Sequence, residues 1–237
     1  MKKIGLKTMM VLALGGMMVV TQTPAYAQFG GLLGGSKKSA DAGGATIDKD
    51  TFAKSADQAA GNLLAARIAF LDAKAKMMEA LGVKADSVAK ASEALRAQEG
   101  STSDKVKALD TASKTTADAD KEFEAKMAES KELSAESKAK FAEGGGKFID
   151  GVLLEKAQIE TIQKLVEQGQ SLVQSAGPLQ KAGVLSVVKP VTTMSTMVPG
   201  DVKEGTSTLS KIIKFAQSQK VEIPGADKAT ASLGSLN

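Results

Sequence analysis

Between Phe148 and Val173 the sequence FIDGVLLEKAQIETIQKLVEQGQSLV sets Phe148, Val152, Glu155, Ile159, Ile162, Val166, Gly169 and Val173 at alternating steps of four and three. A strand turns every second side chain to the same side, whereas steps of three and four return to one face of a helix. Leu165 and Leu172 lie beside this line and widen it, as in a helix packed within a bundle. This is the most apolar helix the chain predicts, and the other helices are expected to lean on it. The stripe speaks to architecture and says almost nothing about chemistry.

Earlier in the chain Phe52, Ala56, Ala59, Leu63, Ala66, Phe70, Ala73 and Met77 repeat the spacing, and the many alanines permit close helix approach. Asp48 or Asp50 supplies the N-cap, and Leu81-Gly82 the stop. Met77 and Met78 read as gap-filling core side chains rather than as a metal or client site. Asp86 to Gln98 predicts a short helix with Val88, Ala91 and Leu95 inward, broken by Gly100-Ser101-Thr102-Ser103, which offers a new cap.

From Asp104 to Glu143 there is no Gly or Pro, so the expectation is one uninterrupted helix of roughly 60 Å. Its apolar positions are sparse (Val106, Leu109, Phe123, Met127, Leu133, Phe141), and Asp110–Lys114, Glu122–Lys126 and Glu136–Lys140 have the spacing of supporting ion pairs. An outer helix of a bundle is preferred over a free arm, with Asp118, Asp120, Glu122 and Glu124 on a solvated face. Gly144-Gly145-Gly146 is read as a tight turn into the core helix, Lys147 to Ser175, making a long antiparallel hairpin. A hinge is the alternative use of the same glycines.

Gly177-Pro178 ends that helix. Leu179 to Val198 reads as a helix kinked at Pro190, with Val184, Val187, Val191, Met194 and Val198 on one face. It is the best candidate for membrane contact, although Lys181 and Lys189 interrupt it and the membrane reading is not favoured. Pro199-Gly200-Asp201 predicts a turn into a last helix, Val202 to Ser218, with Val202, Leu209, Ile212 and Ala216 inward. The fold class is therefore all-α: an elongated antiparallel helical bundle over 48–219, with coiled-coil-like spacing and an irregular tail over 220–237.

The first 27 residues have the form of a cleaved signal peptide. Lys2, Lys3 and Lys7 are basic, Met9 to Val20 is apolar, and Ala25-Tyr26-Ala27 is a small-x-small cleavage site. The apolar run is short for a transmembrane anchor and holds Gly15 and Gly16. Residues 28–47 form a glycine- and serine-rich leader expected to be flexible, with a sticky tip at Phe29, Leu32 and Leu33 as the less favoured use. Gly30 and Gly35 have the spacing of a phosphate-binding loop, but Ser36 stands where the lysine must be, and the motif fails.

Removal of the signal changes the charge argument. The chain is formally +4, and the signal carries three Lys and no acid, so the mature product is +1 (4 − 3). No excess positive charge remains to support nucleic-acid binding. Cys and His are absent, which removes disulfides, thiol catalysis, the usual proton shuttle and most transition-metal sites. Trp is absent and the single Tyr, Tyr26, falls in the signal, so seven Phe are the only aromatics of the mature product and stacking platforms for nucleic acid or sugars are not expected.

No catalytic, cofactor-binding or metal-ligating residue stands out. The function that fits is a secreted or periplasmic non-enzymatic protein acting through protein–protein contacts, such as an accessory of a bacterial cell-envelope or secretion assembly. A periplasmic holdase-type chaperone is the alternative, and a membrane-active helical protein ranks below it.

Overall fold

The computed structural model describes residues 48–234, and within them the chain is all-α, six helices with no strand. The signal peptide expected over 1–27 and the leader expected over 28–47 lie outside the described residues. Helix α1 (Lys49–Ala80) starts where the Asp48 carboxylate accepts from the Asp50 and Thr51 amides at 3.0 and 2.9 Å. It ends at Gly82, whose φ of +72° is cheap only for glycine, while the Val83 amide closes back onto the Met78 carbonyl. After α2 (Asp86–Arg96), Ser101 and Asp104 form a reciprocal capping box that opens α3 (Thr102–Glu129).

Here the chain departs from expectation. Instead of running to Glu143, α3 stops at Glu129, and α4 (Ala135–Ser175) begins after a five-residue connector, under the Ser134 hydroxyl. No helix-breaking residue marks this gap, because long-range contacts make it. Leu133 is buried, its amide donates to the Gln219 side-chain oxygen at 2.9 Å, and the Gln219 amide group donates to the Lys131 carbonyl at 3.1 Å. The expected turn at Gly144-Gly145-Gly146 is absent too: all three glycines lie inside α4. The predicted hairpin across them does not exist, and α3 makes no extensive contact with α4.

The dominant pairing is α4 against α1. Phe52 meets Gly169, Asn62 bonds Gln158, Arg67 faces Glu155, Phe70 lies against Gly151, and Met77 lies against Gly144, so the two helices are antiparallel in one steady register. Two sets of α4 positions spaced by seven carry the contact. Phe141, Phe148, Glu155, Ile162 and Gly169 form one, and Gly144, Gly151, Gln158, Leu165 and Leu172 the other; all are buried. The predicted stripe matched the first set from Phe148 on. It placed the second one residue late, at Val152, Ile159, Val166 and Val173, of which only Val152 is fully buried. The reason is shape. Ala66 and Ala73 leave room on α1, and a Cβ built on Gly151 or Gly144 would lie 3.3 and 2.9 Å from their carbonyl oxygens.

Helix α5 (Lys181–Ser218) runs straight through the predicted Pro199-Gly200-Asp201 turn and contains both Pro190 and Pro199. It lies antiparallel to α4, with Val188 against Gly169, Gly205 against Val152 and Phe215 edge-on to Phe141. Each proline removes one backbone donor. Between them the Thr192, Thr193, Ser195 and Thr196 hydroxyls bond back to carbonyls one turn earlier. Of the face predicted on this segment, Val184, Val191, Met194 and Val198 are buried and Val187 is half-buried, whereas Leu179 and Leu185 of the same segment are exposed. Among the described residues no helix is long and apolar enough to cross a membrane. The tail is not wholly irregular, for α6 (Ala226–Leu233) packs on α4 with Ala229 buried.

Candidate functional site

The expected solvated acids of α3 divide into two groups. Asp118 is exposed and pairs only with Lys121 on its own helix, and Glu122 is exposed. Asp120 reaches Lys74 of α1, and Glu124 bonds Lys211 of α5 at 2.7 Å, so these two fasten α3 to the bundle. Asp110–Lys114 and Glu136–Lys140 form as predicted, whereas Lys126 pairs with Glu129 in place of Glu122.

Two places could do more than hold helices together. The first is a charge cluster at the meeting of α1, α4 and α5. Arg67 Nη2 donates to Asp201 Oδ2 at 2.5 Å and lies 3.8 Å from Glu155 Oε1. The same guanidinium carbon sits 5.9 Å from the centre of the Phe70 ring. Glu155 is only 2 % exposed, on the buried stripe of α4. Its Oε2 and the Arg67 Nε are buried without a hydrogen-bond partner among the described residues.

Burial pushes the Glu155 carboxyl up to about 7. Arg67 opposes that shift, and the neighbouring Asp201 adds to it, by repelling the ionised form and by offering an acceptor to the protonated one. Beside the cluster a polar cavity of about 60 Å³ opens between α1, α3 and α5, with Arg67, Lys74, Asp120, Asp201 and Glu204 among its walls. That volume suits solvent rather than an organic substrate.

Sequence reasoning missed this cluster. Glu155 stood among apolar residues on the predicted stripe, which was the available signal. The turn that Pro199-Gly200-Asp201 predicts takes Asp201 off the helix, whereas in the structure it lies on α5 facing Glu155 across Arg67.

The second place is a groove between α2 and α3 of about 470 Å³. Ala91, Leu95, Ala108 and Ala112 make its floor, while Lys90 and Lys107 stand on its rim. The local cause is plain. The Ser101 capping box turns the chain sharply, so two helices rich in alanine lie side by side, and alanine is too short to fill the valley between them. Apart from the buried cluster, the ion pairs among the described residues are at least partly exposed, most of them two-membered, with Glu143 bridging Lys76 and Lys147. Comparison with protein-family models, with curated proteins and with solved structures finds no match for this chain.

Proposed function

We propose that the chain is exported by its N-terminal signal and acts without catalysis, as a protein-binding accessory of a bacterial envelope or secretion assembly. One observation carries the reading: the open groove between α2 and α3, apolar on its floor, with Lys90 and Lys107 on its rim and Asp104, held by the Ser101 cap, also in its lining. Its dimensions and lining suit a partner segment that presents small apolar side chains inward and acidic side chains toward Lys90 and Lys107. Elsewhere the large apolar side chains are turned into the core; only Leu179 and Leu185 are exposed among those described.

The test uses the mature protein in its native envelope, with a photo-crosslinker at Thr111, an exposed residue of the groove. One stoichiometric partner is the expected product. Capture of many unfolded envelope proteins would move the reading to a holdase. Ala94→Arg fills the groove from an exposed position without touching the core. It is expected to lower crosslinking at least tenfold while leaving the melting temperature within about 2 °C, as surface substitutions generally do. Unchanged crosslinking in that variant would remove the groove from the proposal.

A further inference from the structure

We propose that Arg67, Glu155 and Asp201 form a proton-operated clamp between α1, α4 and α5, closed when Glu155 carries a proton and loosened when it loses it. The geometry supplies the reason. Two carboxylates face one guanidinium, and Arg67 is hydrogen-bonded to Asp201 while Glu155 stays at 3.8 Å. With all three groups ionised, the cluster would hold a net negative charge on a residue that is 2 % exposed. A proton on Glu155 cancels that charge and gives it a hydrogen to donate to Asp201, joining α4 to α5 directly.

Among the described residues, the other cation lining the adjoining cavity, Lys74, is already held by Asp120 and does not take the role of that proton. The charge facing Glu155 from α1 is Arg67 and from α5 is Asp201. Lys74, Asp120, Glu124 and Glu204 line the adjoining cavity, with Lys74 held by Asp120 and Glu124 by Lys211. Phe70, Phe148 and Gly205 close the space on its apolar side, and Thr116 and Thr208 are the uncharged polar side chains of the cavity.

Loss of the proton to solvent leaves a carboxylate whose one facing cation, Arg67 at 3.8 Å, is already hydrogen-bonded to Asp201, so water has to complete its solvation. Water gains entry most easily where α5 is weakest, and that point is adjacent. Pro199 lies two residues before Asp201 and cannot donate to the Ser195 carbonyl, so one rung of the helix is missing beside the cluster. Burial places the Glu155 titration at about 7, between ordinary mildly acid and mildly alkaline conditions. A group with a folded pKa above its unfolded value stabilises fully below the unfolded value, and that contribution is lost as pH rises through the folded one.

The experiment compares the wild type with Glu155→Gln, which keeps the hydrogen-bond donor and cannot ionise. Between pH 5 and pH 8 the wild-type unfolding constant, measured in urea, is expected to rise by roughly a hundredfold relative to that of the variant. Amide exchange over residues 195–204, corrected for its intrinsic pH dependence, is expected to quicken over the same range in the wild type alone. Equal pH dependence in both proteins would overturn the clamp. Should Glu155→Gln not fold, the side-chain carboxyl carbon of Glu155 in wild-type protein is followed by NMR. A titration midpoint near 7 supports the proposal, and one near the ordinary glutamate value of about 4.3 refutes it.

Discussion

Arg67 is where a single side chain has the most to lose. Its guanidinium is hydrogen-bonded to Asp201, stands over Phe70 and faces a carboxylate that is nearly inaccessible to water. Arg67→Met keeps the bulk and removes the cation, leaving two carboxylates facing each other in a tight space at pH 8, above the Glu155 titration at about 7. The expected cost is about 3–5 kcal/mol, the range for breaking a buried ion pair from one side. Adding Glu155→Gln to Arg67→Met is expected to recover a substantial part of that loss. Strictly additive losses in the double variant, read from urea melts, would show that the two side chains do not interact.

The glycines at 144 and 146 offer a second comparison between single residues. A Cβ on Gly144 would sit 2.6 Å from Met77 Cγ and 2.9 Å from the Ala73 carbonyl oxygen. Met77 can bend away, but the carbonyl belongs to the α1 backbone, so the helices would have to separate. Gly144→Ala is expected to destabilise by about 1–3 kcal/mol, as overpacking does. A Cβ on Gly146 finds nothing closer than 3.5 Å, and Gly146→Ala is expected to stabilise by up to about 1 kcal/mol through helix propensity alone. Opposite signs for two glycines two residues apart is what a continuous α4 requires; a turn at this point would make both substitutions costly.

At the scale of elements, what the sequence revealed depended on whether the cause was local. The caps of α1 and α3 were legible because Asp48, Gly82 and Ser101 act on neighbouring amides and carbonyls. The gap between α3 and α4 was not, because Gln219 sits 86 residues away from the Leu133 amide it accepts. Pro199-Gly200 misled in the other direction: burial of Val198, Leu209 and Ile212 against the bundle outweighs the local preference for a turn. The candidate site was hidden for the same reason, since Arg67, Glu155 and Asp201 come from three helices and share no local motif. Gln219 yields the test at this scale. Gln219→Ala leaves the Leu133 amide buried without an acceptor, so a loss of about 1–3 kcal/mol is expected. Protection from amide exchange is expected to fall first across residues 130–135. A uniform fall across α3 and α4 would mean that the connector unfolds only with the whole bundle.

For the whole molecule, the ionisable groups pull stability in two directions, and their signs predict where it peaks. Asp48, Asp104, Glu136 and Glu143 have pKa values lowered by hydrogen bonds from Thr51, Ser101, Lys140 and Lys76 respectively. Each favours the folded state above its ordinary carboxylate range and loses that contribution as pH falls through its lowered value. All four are almost fully solvated, so solvent screening keeps their effect small. Glu155 acts with the opposite sign and from inside the core. Burial also raises Asp150, an effect that Lys228 opposes. Buried groups dominate such a balance because water does not screen them. The melting temperature is therefore expected to be highest between about pH 4 and 5, falling gently toward stronger acid and more steeply up to about pH 8. A pH series of thermal melts at constant ionic strength tests this. A melting temperature that climbs steadily to pH 8 would mean that Glu155 is ionised in the folded protein, and that the cluster is held by Arg67 alone.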